Sequence, residues 1–88
     1  MTKRILKWKL PVDDKWHPKP GFILHVEVDE DDPNLVWLWG WAIEEATNEF
    51  RVFGTGHAIP DETGWIGTTR HGETGLVWHV VARLVTGP

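Results

Sequence analysis

The residues best placed to do chemistry in this sequence stand together in Phe50 to Pro60, FRVFGTGHAIP. Phe50, Arg51, Val52 and Phe53 alternate as a strand does, and Gly54 and Gly56 then permit backbone angles that other residues avoid. Successive N–H groups in such a turn can form a small anion nest, with Arg51 nearby and Thr55 and His57 exposed at the strand end. The chemistry on offer is to hold a phosphate or a similar anion. The same Gly-Thr-Gly before Ile59 and Pro60 is also an ordinary way to leave a sheet, and a GxG with no helix after it lacks the setting of a phosphate fingerprint. Hydrolysis would need His57 as general base, Asp61 or Glu62 to orient it and Thr55 close by, all convergent in a pocket. Carboxylates in a Pro-Asp-Glu-Thr-Gly turn are normally solvated, so no catalytic residue is assigned.

Metal chemistry has less behind it. None of the five histidines lies two or four residues from another, so the fold would have to assemble any site, with His25 and His79 the pair that could meet across neighbouring strands. The acidic turn from Asp29 to Asn34 suggests calcium but lacks the glycine and distal glutamate of an EF-hand loop. With no cysteine there is no thiolate ligand, disulfide or thiol nucleophile. No metal and no cofactor is assigned.

Six elements are expected to position these residues, all strands. They are Lys3 to Val12, Phe22 to Asp29, Leu35 to Ile43, Phe50 to Thr55, Trp65 to Arg70 and Leu76 to Val85. Leu6, Trp8 and Leu10 read as core in the first, and Phe22, Leu24, Val26 and Val28 as one inner face in the second. Asp13 to Gly21 holds Pro18 and Pro20, which exclude a helix, so it reads as an irregular crossing pinned by Trp16 and His17. Glu44 to Glu49 reads as a polar hairpin loop.

Seven tryptophans in 88 residues are the strongest anomaly of composition. Three of them, Trp37, Trp39 and Trp41, share one face of the third strand, whose other face is Val36, Leu38, Gly40 and Ala42. A strand apolar on both faces must be covered on both, so these tryptophans are expected at an interface of a homo-oligomer; they could also form a stacking platform for sugars or bases. The sixth strand, with Val77, Val81 and Val85 opposite Trp78, Val80 and Ala82, makes the same demand.

At this length a single domain over residues 1–88 is expected. The net charge of −4 is unevenly spread: residues 1–20 carry +4, residues 21–50 carry −8 and the remainder balances. Such polarity could steer a charged partner, while the overall acidity argues against duplex nucleic acid. No apolar run approaches the roughly 18 residues of a membrane span, and the basic start is not followed by the apolar run of a signal peptide. The chain reads as soluble, unprocessed and free of membrane contact.

Taken in order, KRILKWKLPV, RVFGTGHAIP, the IGT of Ile66 to Thr68 and LVWHVV resemble a widespread family of small, functionally uncharacterised proteins encoded by bacteriophages and prophages. The resemblance runs over nearly the whole chain; the tryptophans of the third strand and the acidic turn before it depart from the pattern. It implies a phage gene acting in the cytoplasm of an infected bacterium or in a virion, and it transfers no catalytic residue. The combined expectation is an all-β domain of about six antiparallel strands, a small barrel or curled sandwich. It would act as a non-catalytic accessory protein that binds a host or defence component, either a protein or a small anionic ligand such as a nucleotide. Arg51, Gly54, Thr55, Gly56, His57 and Arg70 would contact phosphate, and a Trp would stack on the base. A virion or assembly component and a small hydrolase using His57 are the alternatives.

Overall fold

The computed structural model describes residues 4–19, 21–42, 48–61 and 63–84. Where the sequence alternates, it forms strands: β1 (Ile5–Pro11), β2 (His17–Lys19), β3 (Gly21–Val28), β4 (Leu35–Ala42), β5 (Asn48–Gly54), β6 (Gly64–Arg70) and β7 (Val77–Leu84). They make two antiparallel sheets, ordered β1-β4-β3 and β2-β5-β7-β6, and no described residue is helical. The sheets do not close into a barrel; the all-β expectation resolves to a curled sandwich. The count rises from six strands to seven because His17–Lys19, expected as irregular crossing chain, pairs with Asn48–Phe50. Three residues around a proline carry no periodic signal. As an edge strand β2 tolerates the N–H that Pro18 lacks.

Between the sheets lie Leu10, Val26, Val36 and Leu38 from one layer and Phe50, Val52 and Val80 from the other, with Trp8, Ile23, Ile66, Trp78 and Ala82 packed around them. Fully burying a side chain of this size contributes roughly 1.5–3 kcal/mol, so this cluster is the main source of stability. β4 is the centre of its sheet, as its apolar content requires. Its Val36, Leu38 and Gly40 are buried, which leaves Trp37, Trp39 and Trp41 half-buried on the outer face.

One strand face differs from its alternation. The register of β3 shifts between Ile23 and His25, so Leu24 is an extra, bulged residue. Beyond the bulge Val26 and Val28 point inward as expected, but before it Ile23 is the half-buried residue, and Phe22 and Leu24 are 60% and 45% exposed. A single bulge therefore moves Phe22 and Leu24 from the expected inner face to the surface.

The crossing chain after β1 is pinned as its aromatic content suggests. Trp16 packs edge-on against Phe53 at 6.1 Å, and the Arg83 guanidinium lies 4.2 Å from the Trp16 ring centre. This covers Phe53, on the outer face of the second sheet, to 4% exposure. His17 Nε2 meets Asp13 Oδ1 at 2.8 Å, and that hydrogen bond is the main cause holding the Asp13 carboxyl below its ordinary value.

Asp29 and Asp32 hold the acidic turn between β3 and β4 together. Asp29 Oδ1 accepts the N–H groups of Asp31 and Asp32, Asp29 Oδ2 accepts the Trp37 indole N–H at 2.9 Å, and Asp32 Oδ1 accepts the Asn34 N–H. These donors, the Trp37 indole first, lower the pKa of Asp29. A carboxylate with a depressed folded-state pKa stabilises the fold above its unfolded pKa and loses that contribution as pH falls through the folded value. Thermal melts between pH 5 and 2 should therefore show a falling midpoint below about pH 4. Asp29→Asn should flatten that fall; an unchanged slope in the variant would show that the turn is not held this way.

Candidate functional site

β5 ends at Gly54, where the chain turns through Thr55 and Gly56 and closes with a 3.2 Å hydrogen bond from His57 N–H to the Gly54 carbonyl. Gly56 has φ 89°, the left-handed position such a turn demands and the reason glycine stands there. His57 folds back so closely that a Cβ on Gly54 would lie 3.2 Å from its Cε1. One N–H of the expected nest is thus used inside the turn, and the imidazole forms a wall instead.

Because β5 pairs with β7, Gly54 lies opposite Trp78. At this end of the pair lies a groove of about 580 Å³, lined by Gly54, Thr55 and His57 from one segment and Gly75, Leu76, Val77 and Trp78 from the other. Trp78 is fixed by its indole N–H, which donates to the Pro33 carbonyl at 2.6 Å. Arg70 reaches the rim: its Nη2 would be 3.6 Å from a Cβ on Gly75, and among the described residues no carboxylate pairs with it. Of the sequence-derived set, Gly54, Thr55 and His57 line the groove, Gly56 belongs to the turn that shapes it, and Arg70 approaches it only beside Gly75.

Arg51 is not part of it. Its guanidinium carbon sits 4.6 Å from the Phe53 ring centre, and Nη2 is 3.7 Å from Asp14 Oδ1, so its charge serves the loop over the second sheet. The elements proposed for hydrolysis also separate. Asp61 lines a different depression of about 680 Å³, with Thr63, Gly64 and Leu84, and Glu62 lies outside the described residues. Although larger, that depression offers an anion little free positive charge, because its Arg83 is bound to Glu49 at 2.8 Å and Asp61 is acidic. His25 and His79 do not meet: each is on the outer face of its own sheet, and among the described residues no group of three potential ligands converges.

Two histidines matter in ways the sequence did not announce. His79 is the centre of a polar chain: Trp65 Nε1–H donates to Thr68 Oγ1 at 3.1 Å, Thr68 Oγ1 lies 3.0 Å from His79 Nδ1, and His79 Nε2 lies 2.8 Å from Thr55 Oγ1. This chain orients Thr55 at the groove and gives its hydroxyl to His79 rather than His57. His71, 2% exposed, receives the Thr74 N–H at Nδ1 (3.1 Å), and its Nε2–H donates to the Glu30 carbonyl at 2.8 Å. The His-x-x-Thr spacing was a legible local signal for the first bond. The second spans 41 positions and was not.

Compared with known proteins, residues 1–87 match a family described as a domain of unknown function, DUF7352. The chain belongs to that family. No curated protein and no solved structure matches it. The match agrees with the resemblance to an uncharacterised family and assigns no residue a role.

Proposed function

We propose that this chain is a non-catalytic, phage-encoded accessory protein that binds a small anionic ligand of nucleotide class in the cytoplasm of an infected bacterium. The observation that carries the reading is the groove between the Gly54–His57 and Gly75–Trp78 segments, with Arg70, which no carboxylate among the described residues pairs, beside Gly75. Its volume falls in the range of small-molecule sites, roughly 300–1,000 Å³. Its chemistry suits an anion beside His57 and the Thr55 hydroxyl on one wall, with the Arg70 guanidinium next to Gly75 and a nucleobase against Leu76 and Trp78 on the other. Phage origin rests on the resemblance described above, and a host or defence factor would be the source of such a ligand or a protein partner in its place. The enzymatic alternative has less support, because His79 holds Thr55 and Asp61 stands elsewhere.

Native mass spectrometry of the chain purified from infected cells, followed by calorimetric titration with linear and cyclic dinucleotides, tests this. Added mass of nucleotide size and a titratable dinucleotide site are expected. Arg70→Glu and His57→Ala should each weaken the site about tenfold or more, as loss of a charge-assisted hydrogen bond does, with unchanged melting temperature. No bound mass and no heat at millimolar dinucleotide would refute the reading.

A further inference from the structure

The pairing of β1, β4 and β3 arranges the outer face of their sheet in rows. Ile5, Trp41 and Phe22 form one row, Lys7, Trp39 and His25 the next, and Lys9, Trp37 and Glu27 the third. The tryptophans run down the middle. Ile5 and Phe22, 57% and 60% exposed, flank them at one end, and a basic edge faces an acidic edge at the other. Lys7 Nζ lies 4.1 Å from the Trp37 ring centre and 5.1 Å from that of Trp39, so lysine stems cover part of the indoles in the isolated chain. A stable interface buries ~800 Å² per partner, and this three-stranded face, roughly 14 Å across and about 25 Å long before its side chains are counted, would form the centre of such a patch.

We infer that a second copy of this chain covers this face, related by a two-fold axis parallel to β4. Such an axis turns each row onto itself with its ends exchanged. Lys9 then meets Glu27 of the other copy, Ile5 meets Phe22, and each tryptophan meets its own counterpart across about 10 Å of sheet separation. A two-fold axis across the strands fails the same test, because it would set Lys9 against Ile5 and Glu27 against Phe22, desolvating charges on apolar partners. Of the two axes, only the one parallel to β4 matches the outer rows, while the middle row sets Lys7 opposite His25. On docking, Lys7 moves its ammonium to the rim, as a long flexible stem allows. This interface does not depend on the ligand reading of the groove, which opens at the end of the other sheet.

Sedimentation equilibrium of the full chain from about 1 µM to 1 mM tests the pairing. A species of twice the 10.1 kDa chain mass is expected. Lys9→Glu and Glu27→Lys should each raise the dissociation constant about tenfold or more, because each sets two like charges together at both ends of the interface. The Lys9→Glu/Glu27→Lys double variant should return it to within about threefold of the parent. Circular dichroism melts confirm that each variant is folded. A monomer throughout the range, a dimer indifferent to both single reversals, or a double variant no tighter than the singles would each overturn the inference.

Discussion

Replacing His71 by alanine is expected to lower the unfolding free energy by about 3 kcal/mol, the sum of a lost buried side chain and two orphaned backbone groups. The imidazole is almost fully buried, and its tautomer follows from its partners: Nδ1 accepts the Thr74 N–H, so the proton sits on Nε2 and is given to the Glu30 carbonyl. Alanine would leave that N–H and that carbonyl without these partners. The loss also reaches the groove, since the imidazole holds Thr74, whose Oγ1 accepts the Leu76 N–H at 3.3 Å, and Leu76 forms part of the groove wall. Urea unfolding at neutral pH measures the first effect and dinucleotide titration the second. Thr74→Val, which keeps the backbone donor and removes only the hydroxyl at 2.9 Å, should cost about 1 kcal/mol. A loss below 1 kcal/mol in His71→Ala would mean that the two turns are held together by something else.

Gly40→Ala should be comparably damaging, at about 3 kcal/mol, although adding a methyl to a strand glycine is ordinarily favourable by a few tenths to 1 kcal/mol. Gly40 lies in β4 between two paired strands, and a Cβ there would fall 2.4 Å from the Phe22 carbonyl oxygen and 3.0 Å from Trp8 Cζ3. Neither neighbour can give way cheaply. The carbonyl belongs to the backbone of β3, and the Trp8 ring is also pressed against Gly21, where a Cβ would sit 2.8 Å from its Cη2. The two glycines together form the slot that admits the Trp8 indole to the core. Gly64 is the control: nothing lies within 4 Å of its added Cβ, so Gly64→Ala should change stability by no more than about 0.5 kcal/mol. Equal melting temperatures for Gly40→Ala and the parent would refute the steric account.

Strand positions could be read directly from alternation, but in β4, apolar on both faces, only the packing decided that Val36, Leu38 and Gly40 turn inward and Trp37, Trp39 and Trp41 outward. Where local irregularity intervenes, the period loses its meaning. The bulge at Leu24 exchanges the faces of β3 at its start, and β2 is too short to have a period. The site divided in the same way. Gly54, Thr55, Gly56 and His57 are close in sequence and share one turn, so their grouping was visible. Arg51 was grouped with them by proximity along the chain, but a strand sends it to the face of Phe53 and Asp14.

The amino-acid sequence by itself determined the all-β class, most strand positions, the glycine turn after β5 and the surplus of apolar faces, because these follow from side-chain periodicity and backbone freedom within a few residues. Only the tertiary structure decided that His71 ties Glu30 to Thr74, that His79 rather than His57 holds Thr55, and that Arg70 comes beside the groove wall at Gly75 while Arg51 lies against Phe53 and Asp14. It also decided that Lys9 and Glu27 flank Trp37 in one row. These contacts depend on which strands become neighbours and in what register, and sheet order is settled by the packing of the whole core rather than by any local stretch of chain.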